Sequence, residues 1–422
     1  MGVTRIFARL AVRAARVLVV EVPGQWLARV ELEQQILRRG WRQAWTPADA
    51  DVLAVCGVPG PELAELVDRL WDQMPGPRVR ADIDSSGSAG SALEDAATRL
   101  LDTPHHRTDA RERAQKPPSL EPHRQMDNGD HEVMDHGGHG QIDHEAMGHG
   151  GHGQIDHEAM GHGGHGQMDH EAMGHGGHGQ MDHEAMGHGG HGGMDMAPEG
   201  IALAQGGEDR DGLEMDVLHL PLGPALPFWP AGLVLRCSLQ GDVVVEAAAS
   251  VIDGQDHETG AHGSQPGGGA TTAPEMRCDS VMALLALVGA RGAAASARQA
   301  RDALLRGDRP AARDALERVH RTVRRSWLLR WSLRGVLSLG QSDLARHGLP
   351  EGYQGDAYDR LLSTVERIRV EIGGGSTVAV EAVVPLEIVP HLVTGSELAT
   401  VRLAVASLGL EPFATGQEVK HA

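Results

Sequence analysis

The sequence predicts an α/β N-terminal domain on a small parallel sheet and a mainly helical α+β C-terminal domain, separated by a long disordered linker. Three observations lead there. Residues 17–83 alternate short apolar runs with helically spaced segments, residues 126–196 repeat almost exactly without core-forming side chains, and a strand pair beyond residue 213 gives way to successive helical patterns. The expected boundaries are 1–102 for the first domain, 103–212 for the linker and 213–422 for the second domain, which carries a disordered insert at 253–275.

VLVVEV (17–22) is short and apolar enough for a buried strand, and ARVELEQQILRRG (28–40) has helical spacing closed by Gly40. ADVLAVCG (50–57) reads as a second strand, PELAELVDRLWDQM (61–74) as a helix opened by Pro61, and PRVRADI (77–83) as a third strand. The resulting βαβαβ order implies parallel pairing. From Asp84 to about Pro122 periodicity is lost, apart from a helix around 92–101.

In the second domain LVLRCSL and VVVEAAA flank the turn Gln240-Gly241-Asp242, which predicts a hairpin. Helices are expected at 276–290, 294–306, 309–323, 325–336 and 356–371, a short hairpin around Gly373–Gly375, and a final helix over 391–410. Trp327 and Trp331 share one face of their helix, which predicts a core-facing stripe with solvated arginines beside it, contact with a partner or with lipid headgroups being the alternative.

The chain has 38 basic and 58 acidic residues, a formal net charge of −20. Residues 126–196 hold 13 acidic residues and no Lys or Arg, leaving −7 for the remainder. No cationic concentration of the kind nucleic acid requires is expected from that balance. Three scattered cysteines, Cys56, Cys237 and Cys278, form neither a disulfide framework nor a CxxC knuckle. With no cleavable leader pattern and no run approaching the roughly 18 apolar residues of a spanning helix, the expected location is cytoplasmic. Contact with the inner membrane is expected only through partner subunits.

The chemistry-bearing feature is the repeat. HGQIDHEAMGHGG and its HGQMDHEAMGHGG variant run through four 13-residue copies over 139–190. The candidate metal ligands are His131, His136, His139, His144, His149, His152, His157, His162, His165, His170, His175, His178, His183, His188 and His191. Their +5, +5, +3 spacing fits no single helical face, and the glycines oppose helix and strand alike, so a flexible chelator is expected. Neutral imidazole binds Ni, Zn and Cu, while Met147, Met160, Met173 and Met186 add soft thioethers. Nickel or zinc is favoured over copper, and proton competition predicts release at about pH 6 and below.

TPADADVLAVCGVPGPELAELVDRLWDQMPGPRVRADI (46–83) resembles the small iron–sulfur subunit of respiratory complex I and of membrane-bound [NiFe]-hydrogenases. Pro47, Ala50, Asp51, Val52, Gly57, Asp72, Gln73, Met74, Pro75 and Pro77 carry the likeness over about residues 15–90. LGPALPFWPAGLVLRCSLQGDVVVEA (222–247) and LEIVPHLVTGSELATVRLAVASLGLEP (386–412) are similar to the hairpin and closing helix of the large, quinone- or hydrogenase-type subunit.

The resemblance implies cluster cysteines after the first and third strands. VEVPGQW (20–26) and DSSGSAGS (84–91) contain none, and the implied hairpin histidines are replaced around Leu226 and Ala231. No iron–sulfur cluster, no quinone chemistry and no catalytic or cofactor-binding residues are expected. The leading expectation is a non-catalytic accessory or assembly component of a complex I-like or hydrogenase-like complex, bound to its subunits and not to nucleic acid. The alternatives are a soluble nickel, copper or zinc buffer or metallochaperone, and an active iron–sulfur oxidoreductase subunit.

Overall fold

The computed structural model describes residues 12–85, 87–115, 205–208, 214–253, 273–375 and 384–410. The chain divides into two units, one formed by 1–121 with 199–422 and the other by 122–198. The second unit, with every repeat histidine from His131 to His191, lies outside the described residues, as does most of the insert at 253–275.

Four parallel strands open the first unit: β1 (Arg16–Glu21), β2 (Arg42–Gln43), β3 (Val52–Cys56) and β4 (Val79–Ile83), in the order β2-β1-β3-β4. Val17 pairs with Val52 and Glu21 with Cys56, while Cys56 pairs with Ile83 across the next ladder. All five β3 side chains are buried, as a strand covered on both faces should be. Helices α1 (Trp26–Arg38), α2 (Pro61–Gln73) and α3 (Ala89–Leu100) follow β1, β3 and β4. Val17, Ala54 and Ile83 join Leu32 and Leu93 in one core, while Leu18, Leu53 and Val55 join Leu63 and Val67 in another. The sequence-derived elements are all present, and β2 is added to the sheet.

Helix α4 (Thr103–Gln115) falls where no periodicity was legible and where the linker was expected to start. It has no buried residue, and ion pairs hold it in place of apolar contacts. Buried Arg78 stacks on Trp71 at 4.3 Å and reaches Asp109 at 3.2 Å, and Arg113 pairs with the same carboxylate at 3.1 Å.

An antiparallel sheet follows: β5 (Gln205–Glu208), β6 (Glu214–Leu222), β7 (Leu233–Gln240) and β8 (Val243–Val251), ordered β5-β6-β7-β8. Gln240 opposes Val243 across a turn in which Gly241 has φ 61°. The hairpin therefore has a two-residue loop that glycine accommodates without strain. Leu233, Leu235, Cys237 and Leu239 face a core shared with the last helices, whereas Val234 and Ile252 enter the core of the parallel sheet. The N- and C-terminal regions thus share buried apolar surface within one unit.

The C-terminal region is mostly helical, with α5 (Pro274–Leu287), α6 (Arg291–Leu305), α7 (Arg309–Arg325), α8 (Trp327–Leu333), α9 (Gln341–His347) and α10 (Ala357–Ile372). The single helix expected over 391–410 is instead two, α11 (Val389–Val393) and α12 (Leu398–Ser407). Gly395, at φ 83°, breaks them apart. The break brings backbone to the edge of the hairpin, where Gly395 N donates to Val244 O at 2.7 Å, Val244 N to Ser396 O at 3.0 Å and Leu398 N to Asp242 O at 2.7 Å. Sheet pairing overrode helical periodicity here. Gly373–Gly375 close α10, and the residues that would complete the expected hairpin after them lie outside the described ones.

A second correction concerns α8. Leu329 and Leu333 are buried, but Trp327 and Trp331 are 76% and 72% exposed. The tryptophan stripe faces outward because the leucines, two residues further along, take the core side. Among the described residues no helix is long and apolar enough to cross a membrane.

Candidate functional site

In an open parallel sheet the binding crevice lies beyond the carboxyl ends of the strands, where successive connections leave in opposite directions. Here that switch point lies between β1 and β3, whose last residues are Glu21 and Cys56. Val22 N donates to Cys56 O at 2.9 Å and Gly57 N to Ile83 O at 2.8 Å, fixing the two loops. Gly57, at φ 96°, lies under the Gln25 side chain, and an added Cβ there would collide with it. The crevice floor is therefore packed by the chain itself.

Its upper wall comes from the C-terminal region. Asp253 accepts from the backbone of Glu62 at 3.2 Å and Leu63 at 3.1 Å. That carboxylate satisfies the open N-terminus of α2, the position where α/β proteins commonly hold an anion. Gly60 permits the approach, since a Cβ there would lie 2.5 Å from the Asp253 Cγ.

Beside it lies a buried ionic cluster. From α1, Arg29 donates to Glu21 at 2.5 Å, to Glu33 at 2.5 Å and to Asp279 of α5. From α6, fully buried Arg301 donates to Glu33 at 2.8 Å, Asp279 at 2.5 Å and Asp302 at 3.0 Å. Trp26 Nε1 completes the set with a 3.0 Å bond to Asp279. Two guanidiniums face four carboxyl groups, so the cluster is formally over-supplied with negative charge.

The carboxyl groups answer that excess differently. Burial pushes the Glu21 carboxyl above its usual range, opposed by Arg29 and reinforced by the Asp279 charge. Burial also opposes ionisation of Asp279, but Arg29 and Arg301 outweigh it and hold this carboxyl at about 2. Asp279 is the ionised centre of the joint, while burial favours the neutral form of Glu21.

The three thiols do not converge. Cys56, Cys237 and Cys278 are each buried in a different hydrophobic cluster. Burial pushes the Cys56 and Cys237 thiols up, and Cys278 to about 12. A [4Fe–4S] cluster needs four thiolates, and these three neutral thiols do not fit it. At the positions that the resemblance would give to cluster cysteines stand the Glu21–Gln25 loop and the turn before α3.

Among the described residues no group of three or more His, Cys, Asp or Glu side chains could hold a metal ion. His106 Nε2 lies 3.0 Å from Arg99 O and His219 Nδ1 lies 3.0 Å from Ser238 Oγ, both local contacts. A cavity of about 60 Å³ between α5, α10 and the chain after α12 is lined by Arg277, Arg360, Ser280 and Ser407. Arg360 spends its N–H groups on the carbonyls of Tyr353, Gly355, Val336 and Leu337 and on Ser407, so it clamps the 336–355 segment. Burial lowers its guanidinium to about 10.

The sequence singles out the histidine-rich repeat, whose residues lie outside the described ones, and gives no sign of the ionic cluster as a unit. A signal was available for its members: Glu21 ends an apolar strand run, and Arg301 falls among the alanines of a helix face. Charges at core positions imply partners, though not which ones. No family model, curated protein or solved structure matches this chain.

Proposed function

We propose that the protein is a non-catalytic accessory or assembly component of a complex I-like or [NiFe]-hydrogenase-like oxidoreductase. Its histidine-rich segment would bind divalent nickel, zinc or copper. The observation that carries the non-catalytic reading is the crevice beyond β1 and β3. There Gln25 lies against Gly57, Asp253 takes up the N-terminus of α2, and Arg29 and Arg301 both bond Asp279, so these groups are already committed to contacts within the chain. The likeness of 46–83 to a small subunit, and of 222–247 and 386–412 to a large one, supports placement beside such subunits at the cytoplasmic side of the inner membrane.

The metal reading is supported by the 15 imidazoles between His131 and His191, 12 of them in the four repeats. The same repeats favour a second reading, a soluble metal buffer or metallochaperone whose folded part only carries the ligands. Deleting Met126–Met196 separates the two. Lost assembly of a co-purifying oxidoreductase with unchanged metal tolerance supports the accessory role. Metal sensitivity with intact assembly supports the buffer, and the lack of any co-purifying subunit of that class counts against the first reading.

A further inference from the structure

Trp327, Leu328 and Trp331 form an exposed ridge on α8, with 76%, 54% and 72% of their surface open, while Leu329 and Leu333 anchor the helix from beneath. Ser326 caps the helix by accepting from Leu329 N at 3.2 Å. The ridge is therefore held on ordered backbone.

From Arg318 to Ser342 the chain has six arginines and no carboxylate, within a protein whose net charge is −20. Arg318 bonds Gln299 at 2.8 Å, and Arg330 lies over the Tyr358 ring at 5.2 Å. Arg321, Arg324, Arg325 and Arg334 are exposed and form no ion pair with a described residue. Elsewhere in this unit Arg29 and Arg301 are matched by carboxylates, whereas no described carboxylate pairs with these four. This face has been left cationic.

We propose that the Trp327–Trp331 ridge docks directly on an anionic lipid surface, with the indoles and Leu328 at headgroup depth and the arginines on lipid phosphates. Amphipathic helices of this kind place aromatic and aliphatic side chains in the interface and basic ones around them. Each basic residue near an anionic surface raises partition roughly fivefold. A protein partner fits less well, because a stable protein interface covers about 800 Å² per side, more than three apolar side chains supply. Base stacking would use the indoles but leaves Leu328 without a role. The inference stands apart from the metal repeat, and it replaces membrane association through partners alone with a direct contact.

The test is co-sedimentation of the full chain, untagged and with chelator present, with vesicles of phosphatidylglycerol and phosphatidylcholine in equal parts. Vesicles of phosphatidylcholine alone serve as the reference. The protein is expected to pellet with the anionic vesicles and to be released by high salt. Arg324→Ala with Arg325→Ala should lower partition about thirtyfold, and separately Trp327→Ala with Trp331→Ala should abolish most of it by removing the apolar area that enters the interface, both with unchanged circular dichroism and melting. Trp327→Phe with Trp331→Phe should keep most of it. Wild-type protein that stays in solution with anionic vesicles overturns the proposal, as does a double-alanine tryptophan variant that binds like wild type. Capture of an RNA oligonucleotide through these tryptophans without vesicle binding would also overturn it.

Discussion

Two arginine- and tryptophan-bearing regions of this protein have opposite fates. Around Trp26, Arg29 and Arg301 the cations are buried against Glu21, Glu33, Asp279 and Asp302, and the indole donates to the same carboxylate as the arginines. Around Trp327, Trp331, Arg324 and Arg325 no described carboxylate pairs with the cations, and the side chains stay in solvent. What separates them is the carboxylate complement contributed by other parts of the chain, not the local composition. A guanidinium leaves water at low cost where carboxylates match its charge, as at Arg301, or where carbonyls saturate its N–H groups, as at Arg360.

The largest expected effect is on the buried side of that comparison. Arg301→Met strips Asp279 and Glu33 of a partner in a water-poor site, and breaking such a network costs about 3–5 kcal/mol. Denaturant unfolding should show that loss. A change under about 1 kcal/mol would mean that water reaches the cluster and that the two regions differ less than their exposure implies.

Asp279→Asn should cost about 3 kcal/mol at neutral pH, because it removes a buried carboxylate that both Arg29 and Arg301 bond. Its effect has a defined pH window. Asp279 is held at about 2 in the fold against an ordinary value of 3.8, so its contribution is complete above pH 3.8 and fades as pH falls through 2. The gap between wild type and variant should close over that acid range, as read from melting at stepped pH.

Glu21→Gln should behave in the other sense. A carboxyl raised by burial stabilises the fold fully below its ordinary value of 4.5 and loses that contribution as pH rises through the folded value. The variant mimics the protonated form, so it should match or exceed wild-type stability at neutral pH and lose its advantage near pH 4. A large destabilisation at neutral pH would show that ionised Glu21 is needed against Arg29.

The smallest stability effect belongs to the exposed side. Trp327→Ala should shift unfolding by no more than about 0.5 kcal/mol, as surface substitutions do, while changing association with lipid.

The parallel sheet was legible because β1 and β3 are short apolar runs and β4 alternates apolar with charged residues, all between helically spaced segments, and the 233–251 hairpin because Gly241 marks its turn. Helix α4 was not legible, since Asp109 and not apolar spacing holds it. The break at Gly395 was hidden by a continuous apolar pattern that yields to pairing with β8. Trp327 and Trp331 show a further limit: i,i+4 spacing places two side chains on one face without saying which face is covered. The ionic joint was beyond local reading because Asp279 lies 250 positions from Arg29.

The central claim is that metal belongs to the repeat and that the folded unit carries no redox cluster. Metal content of the native, untagged protein by mass spectrometry tests it most directly, with Ni, Zn, Cu and Fe counted per chain. Several Ni, Zn or Cu ions per chain are expected, lost below about pH 6 as the imidazoles protonate, and no iron. About four Fe per chain, with absorption near that of a [4Fe–4S] cluster, would contradict it and return the protein to electron transfer.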